Sequence, residues 1–548
     1  MTIAAPTWTK PGPGTWELDS SHCGPAPCPI QRGLYERCLE RGIGEGLALF
    51  GSPLRTMQMR WVHGKFYRRL VPQIGGDRDL PPPPAPLLWL ATRLHPTFRK
   101  QERLARESFE TKRWRAELRR WEEEWKPALI ASHLAHGEVD VSALDDAGIA
   151  RHVVELHDGL VESTALHFRL HVSDMGPLGD LMVHLEDWGL DRDDTFRALL
   201  AASPATREPV AHLRAVAAAL RDAGVDPSGL TSLDEVRAVP AASERLDDYL
   251  RHHGWRLTTG YEIEDRALIE LRDVILASIR GAGSDPVGGH DASAESLSAL
   301  RERVPAAHRA ELDEIVEDAR LSYGLRDENG PLTYQWPAGL LRRALLEAGR
   351  RLTARGVLAQ EAEVFELTLD EVHDALAGGD GPGAEEIERR AAERRWWATL
   401  DPPDRLGPEE VPPPVSVMPP NLARITRIIL TVVDTLEAQK GRERLQGTGI
   451  GADAYVGTAR VVHDAAEALA RMEPGDVVVA PYTAPTYNAV LSVAGAIVTE
   501  EGGLLCHAAV IARELGLPAV IGASGAMDLP DGATVEVDPA AGSVRVLV

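Results

Sequence analysis

The sequence predicts an α+β multidomain chain, in which a large, mostly α-helical domain precedes a small α/β domain. Three observations carry that reading. The chain has 548 residues, enough for three or four domains at roughly 100–200 residues each. All 12 Trp lie before residue 400, whereas residues 446–548 hold no Trp, Phe or Lys and are rich in Val, Ala and Gly. The apolar period also changes, from spacings of three and four residues to short β-branched runs. The predicted divisions are 1–400, mostly helical; 401–447, a Pro-rich arm, a helix and a hinge; and 448–548, the α/β domain.

Within 1–400 the elements follow in order. Residues 98–125 are highly charged and free of Gly and Pro, which predicts a solvated helix ended by Pro127. Residues 147–171 place Ile149, Val153, Leu156 and Leu160 at helical spacing. Residues 211–223 are Ala- and Leu-rich, with Gly224 as a stop. Residues 297–321 and 338–355 repeat the pattern, the latter with a Leu341, Leu345, Leu352 stripe closed by Gly356. Stretches 81–84, 281–289 and 378–383 read as loops.

Residues 401–420 contain eight Pro and form an extended arm rather than a helix or a central strand. Residues 421–440 form an amphipathic helix with Ile425, Ile428, Ile429, Val432 and Leu436 on one face. Residues 441–447 are polar, a hinge that spans about 15 Å r.m.s. as a flexible coil. Strands are then predicted at 454–462, 476–480, 495–499, 519–522, 534–537 and 543–548, with helices at 465–472 and 507–515.

Charge and cysteine content exclude several classes. There are 83 Asp plus Glu against 59 Lys plus Arg, a formal net charge of −24. That balance argues against nucleic acid, whose phosphates need clustered cations, and against an anionic membrane surface. Apolar runs are shorter than the roughly 20 residues of a membrane span, and residues 1–14 lack a signal-peptide core. A cytoplasmic protein is expected. Four Cys make no disulfide framework, and no metal site is expected from their spacing.

One stretch carries chemistry: Gly502-Gly503-Leu504-Leu505-Cys506-His507, running into a helical pattern. Two Gly after a strand allow close backbone approach to a ligand. His507 stands where a helix begins, and helix N-termini favour anions. A neutral imidazole is a competent nucleophile, and Arg513 supplies a cation one helical stretch on. The pattern suits a transient phosphohistidine. A histidine that merely caps a helix or lies on the surface fits the same residues.

The segment from Gly502 to Val520 resembles the phosphohistidine signature of the phosphoenolpyruvate-utilising enzymes, and residues 449–548 resemble their swivelling domain. The match includes Pro474-Gly475-Asp476-Val477-Val478-Val479 and Asp531-Gly532-Ala533-Thr534-Val535-Glu536-Val537-Asp538. By this resemblance His507 is the phosphorylated residue, with Gly502, Gly503, Cys506 and Arg513 around it. The family often carries Thr, Ser or Asn two residues before the His and Thr or Ser directly before it; here those positions are Leu505 and Cys506. In the helical part, Pro11 to Asp19 with His22, Met59 to Tyr67, His253-Gly254-Trp255-Arg256 with Glu262, and Tyr323 to Asp327 resemble the acceptor domain of rifampin-phosphotransferase-like members.

The resemblance implies an acceptor-binding domain over 1–400 and a mobile phosphohistidine domain over 448–548. No Gly-rich nucleotide loop is evident, so ATP and Mg²⁺ are expected on a separate ATP-grasp partner, a layout that resembles two-component phenylphosphate synthase. A small-molecule hydroxyl is the expected acceptor. Arg256 and Arg326 are candidates to neutralise the incoming phosphoryl group; His22, His63 and Glu262 are candidate bases. The Trp-rich part suits an aromatic acceptor, although core packing accounts for the same residues. Two other outcomes stay open: a phosphorylation-coupled dehydratase or ligase component using the same histidine, and a silent binding or scaffold protein that keeps the fold.

Overall fold

The computed structural model describes residues 6–19, 24, 26–79, 83–191, 193–199, 207–258, 262–282, 292–409, 413–437, 444–451, 453–483, 487–491, 493–504 and 506–547. His22, Leu505, residues 283–289 of the predicted loop and residues 438–443 of the last helix and hinge lie outside them. The chain forms two compact units. The first comprises Met1–Pro177, Tyr261–Glu264 and Glu328–Ile429; the second comprises Leu178–Gly260, Asp265–Asp327 and Leu430–Val548. Compactness therefore groups residues 178–260 and 265–327 with the C-terminal sheet. One boundary falls at Pro177, inside the helix Asp146–Asp187, where a backbone donor is missing.

The first unit contains a small sheet that the helical reading of 1–400 did not include. Strands β1 (Trp16–Leu18), β2 (Leu54–Val62), β3 (Lys65–Pro72) and β4 (Arg405–Leu406) pair antiparallel in the order β2-β3-β1-β4. In β2, buried Met57 and Met59 alternate with less buried Gln58 and Arg60, the period of a half-buried strand. The β2–β3 turn is His63-Gly64, both in the left-handed region with φ of 48° and 71°. Such two-residue turns match the twist of a hairpin. The Pro-rich arm supplies β4, a two-residue edge strand.

Helix packing in this unit depends on close approach. The helix Pro29–Phe50 lies against Asp146–Asp187 at Gly42 and Gly46. A Cβ on Gly42 would sit 2.2 Å from the Ala165 carbonyl oxygen, and one on Gly46 would sit 2.5 Å from that of Arg169. Nearby, Tyr35 meets Phe66, Phe168 and Tyr334 at ring separations of 5.5, 6.4 and 6.0 Å.

The predicted helix over 98–125 divides differently. Pro96–Glu110 stops at Thr111, Lys112 is left-handed (φ 48°), and Arg113–Arg120 starts afresh. Pro127 does not end the helix: a π turn at Trp121–Trp125 leads into Lys126–Gly137, which contains it. The wider π turn relieves the position of the usual i→i−4 bond and of the ring clash that Pro brings. A second π turn, Pro331–Gln335, leads in the same way into Trp336–Ala354, which carries Pro337. The turns meet through buried Glu328, which accepts from Lys126 Nζ (2.8 Å) and Trp121 Nε1 (3.0 Å), and through His133 Nε2, 2.8 Å from the Leu332 carbonyl oxygen.

The second unit carries the predicted α/β domain. Its strands are β5 (Thr448–Ile450), β6 (Tyr455–Val461), β7 (Val477–Ala480), β8 (Ala496–Thr499), β9 (Ala519–Ile521), β10 (Thr534–Asp538) and β11 (Ser543–Val546). The order is β11-β10-β6-β7-β8-β9-β5, with β6 to β9 parallel and the flanking pairs antiparallel. Strand β5 and a short helix, Asn488–Leu491, were not foreseen. The central strands are buried on both faces, as parallel strands usually are. Val477, Val479 and Val498 join one apolar cluster, and Val478, Ala480 and Ile497 the other. The latter continues into Leu213, Leu246, Tyr249 and Ile275 of the unit's helices. Among the described residues no helix is long and apolar enough to cross a membrane.

Candidate functional site

The sheet positions His507. Strand β8 ends at Thr499, and the chain leaves it with Glu500 N–H donating to the Ala480 carbonyl (3.0 Å) and Glu501 N–H to that of Pro481 (2.8 Å). Gly502 then adopts φ 113°, a value that side-chain-bearing residues rarely reach. A Cβ there would lie 2.9 Å from Cys506 Sγ. Cys506 is the N-cap of the helix His507–Leu515, and its N–H donates to the Gly503 carbonyl (2.9 Å). The helix closes at Gly516.

The two ring nitrogens of His507 each have a partner. Nδ1 lies 2.8 Å from Thr483 Oγ1, and Nε2 lies 2.9 Å from Asn488 Oδ1. With Oδ1 as acceptor the ring proton is on Nε2, and the Thr483 hydroxyl donates to Nδ1. Thr483 follows β7 and is buried; Asn488 opens the helix Asn488–Leu491, next to fully buried Tyr487. Both stand beyond the C-terminal ends of parallel strands, where ligands gather in such sheets. Sequence reasoning missed them. Their signal was there, in a polar stretch running from Tyr482 to Asn488 after an apolar strand.

Burial pushes the His507 imidazole from 6.5 down to about 3. The ring is thus neutral at pH 7 more completely than an ordinary histidine, and the lone pair needed for attack is available. The same cause pushes the Cys506 thiol up, so it stays protonated. Since a depressed imidazole value means protonation only below it, the His507 ring resonances are expected not to titrate between about pH 8 and pH 5. A midpoint near the usual 6.5 in an NMR titration would contradict the burial.

Arg513 acts on the loop. Its Nη1 donates to the Leu504 carbonyl (2.8 Å), tying the turn before His507 to the helix after it. Leu504 and Val510, either side of His507, pack against Leu178, Met182, Leu312, Val316 and Tyr323. Gly502→Ala should therefore strain the turn, lowering stability by about 1–3 kcal/mol in denaturant unfolding while displacing Cys506.

The candidates in the helical part are placed as follows. Arg256 and Arg326 belong to the second unit, with His507. Arg256 stands near His253, whose imidazole is pushed to about 2 by burial first and by the Arg256 charge second. Arg326 is half-buried on the helix Arg309–Gly330. His63 and Glu262 belong to the first unit. His63 forms the hairpin turn, with Nε2 3.1 Å from the Thr7 carbonyl oxygen and its ring edge-on to Trp8. Glu262 Oε1 accepts from the Gly24 N–H. Among the described residues no group of three or more His, Cys, Asp or Glu is placed to hold a metal ion.

Comparison with known proteins agrees with this geometry. Residues 472–542 match the family described as PEP-utilising enzyme, mobile domain. The chain is 28% identical over 463 residues to the rifampicin phosphotransferase of Streptomyces sviceus, covering 77% of this chain and 50% of that protein. It is 45% identical over 109 residues to the phosphoenolpyruvate synthase of Escherichia coli, covering 20% of this chain and 14% of that one. An uncharacterised Mycobacterium tuberculosis protein is 38% identical over 209 residues, 38% of this chain and 22% of its own. The chain spans half or less of the length of each of these relatives. Residues 472–542, which hold the loop, the helix and His507, are thus similar to the mobile domain of the PEP-utilising enzymes.

Proposed function

We propose that the chain is a phosphotransferase component. His507 takes a phosphoryl group from ATP, which a separate ATP-grasp protein holds with Mg²⁺, and passes it to a hydroxyl of a small organic acceptor. The observation that carries this reading is a neutral imidazole at the start of a helix, with both ring nitrogens held by Thr483 and Asn488.

The chemistry divides into two displacements. In the first, a ring nitrogen attacks phosphorus, the N–P bond forms, and the leaving phosphate or nucleotide departs with the P–O electron pair. First-turn N–H groups, which lack intrahelical acceptors, favour the added negative charge. In the second, the acceptor oxygen attacks phosphorus, the N–P bond breaks, and the hydroxyl proton passes to a base. His22, His63 and Glu262 stay proposed for that base, and Arg256 and Arg326 for neutralising phosphoryl charge. Splitting the transfer lets each station exclude water.

The likeness to the rifampicin phosphotransferase supports a hydroxyl acceptor bound by the helical part, since the match runs well beyond the mobile domain. The test mixes the chain with candidate ATP-grasp proteins and ATP labelled at the β- or γ-phosphate. Acid-labile, base-stable label on the wild type supports the proposal. Absence of label with every such protein contradicts it and favours a silent binding protein.

A further inference from the structure

We propose that Asn488 is a positioning residue that selects which nitrogen of His507 attacks, its amide turning from acceptor to donor as the phosphoryl group arrives. This rests on the phosphohistidine reading above.

The two partners of the ring differ in kind. The Thr483 hydroxyl can donate or accept, so it satisfies Nδ1 in either tautomer. The Asn488 amide has an acceptor end and a donor end. In the structure its Oδ1 faces Nε2, so Nε2 carries the proton and the lone pair is on Nδ1. Nδ1, however, faces Thr483, which is only 8% exposed, whereas Nε2 faces the half-buried Asn488. The nitrogen beside the more exposed partner is the one whose lone pair the resting hydrogen bond withholds.

A half-turn of the amide about Cβ–Cγ reverses this. Nδ2–H then donates to Nε2, the proton resides on Nδ1, and Nδ1–H donates to Thr483 Oγ1. Both ring nitrogens keep a hydrogen-bonding partner. As the donor arrives the amide N–H moves from the Nε2 lone pair to a phosphoryl oxygen, and Nε2 attacks the phosphorus of a nucleoside triphosphate or of a phosphoryl group derived from it. The N–P bond forms, the P–O bond to the leaving group breaks, and its electron pair leaves with that oxygen. The ring keeps its Nδ1 proton, and the amide N–H is free to donate to a phosphoryl oxygen. A carboxylate at 488 could only accept. It would hold the proton on Nε2 and repel the incoming anion.

The test uses the full-length chain with ¹⁵N-labelled histidine, comparing wild type with Asn488→Asp, Asn488→Ala and Asn488→Gln, with thermal unfolding as a check on fold. Before any donor is added, His507 in the wild type should show the Nε2–H tautomer. Asn488→Asp should strengthen that signature, and Asn488→Ala should shift it toward a mixture. With a donor system that labels the wild type, Asn488→Asp should slow labelling at least about tenfold. Asn488→Gln, which keeps both ends of the amide, should recover more of the rate than Asn488→Ala. An unchanged tautomer spectrum in Asn488→Ala and Asn488→Asp overturns the proposal, as does wild-type labelling of Asn488→Asp. If the wild type takes no label from any donor, the phosphotransferase reading fails, and the tautomer comparison, which needs no donor, still decides the role of Asn488.

Discussion

His507→Ala is expected to abolish phosphoryl labelling, a loss of at least about a thousandfold, because removing a nucleophile leaves no alternative route for the covalent step. The fold should survive. The lost side chain makes two hydrogen bonds, to Thr483 and Asn488, and leaving those partners unsatisfied costs about 1–3 kcal/mol. Circular dichroism and thermal unfolding should therefore change little while labelling disappears. His463→Ala is the matched control. That imidazole is 76% exposed on the same domain, and its loss should leave labelling intact.

Gly42→Leu is expected to give the largest loss of stability, about 3 kcal/mol or more in denaturant unfolding. The Ala165 carbonyl oxygen stands 2.2 Å from where the new Cβ would be, so one helix must move away from the other. Backbone on the far side cannot rotate out of the way as a long side chain would. Gly33, in the same helix, has no atom within 4 Å of its Cβ position. Gly33→Ala should be neutral or stabilise by about 0.5–1 kcal/mol, the intrinsic helix preference for Ala over Gly. The contrast between the two separates the crossing from helix propensity.

The C-terminal sheet was legible because its residues repeat one physical pattern. Strands buried on both faces must be short and apolar throughout, and Val477–Ala480 and Ala496–Thr499 are. His507 was legible through its local setting of two Gly, a strand before and a helix after. Thr483 and Asn488 were not, because they lie 24 and 19 residues from His507 and meet it only when β7 and β8 pair. The sheet of β1, β2 and β3 is less legible: Met57 and Met59 alternate as in a half-buried strand, but its strands sit within a chain of predominantly helical pattern. Pro127 departs from its sequence pattern for a different reason. Proline normally ends a helix, and here a π turn, which no single residue announces, precedes it and the helix continues.

The most direct test of the central claim is to locate the phosphoryl group. The chain is incubated with an ATP-grasp protein and labelled ATP, quenched at alkaline pH, digested and mapped. A phosphoramidate that is base-stable and acid-labile, on the peptide that bears His507, is the predicted result. Label confined to serine or threonine, stable to acid, or no label on that peptide when the chain is otherwise phosphorylated, would contradict it.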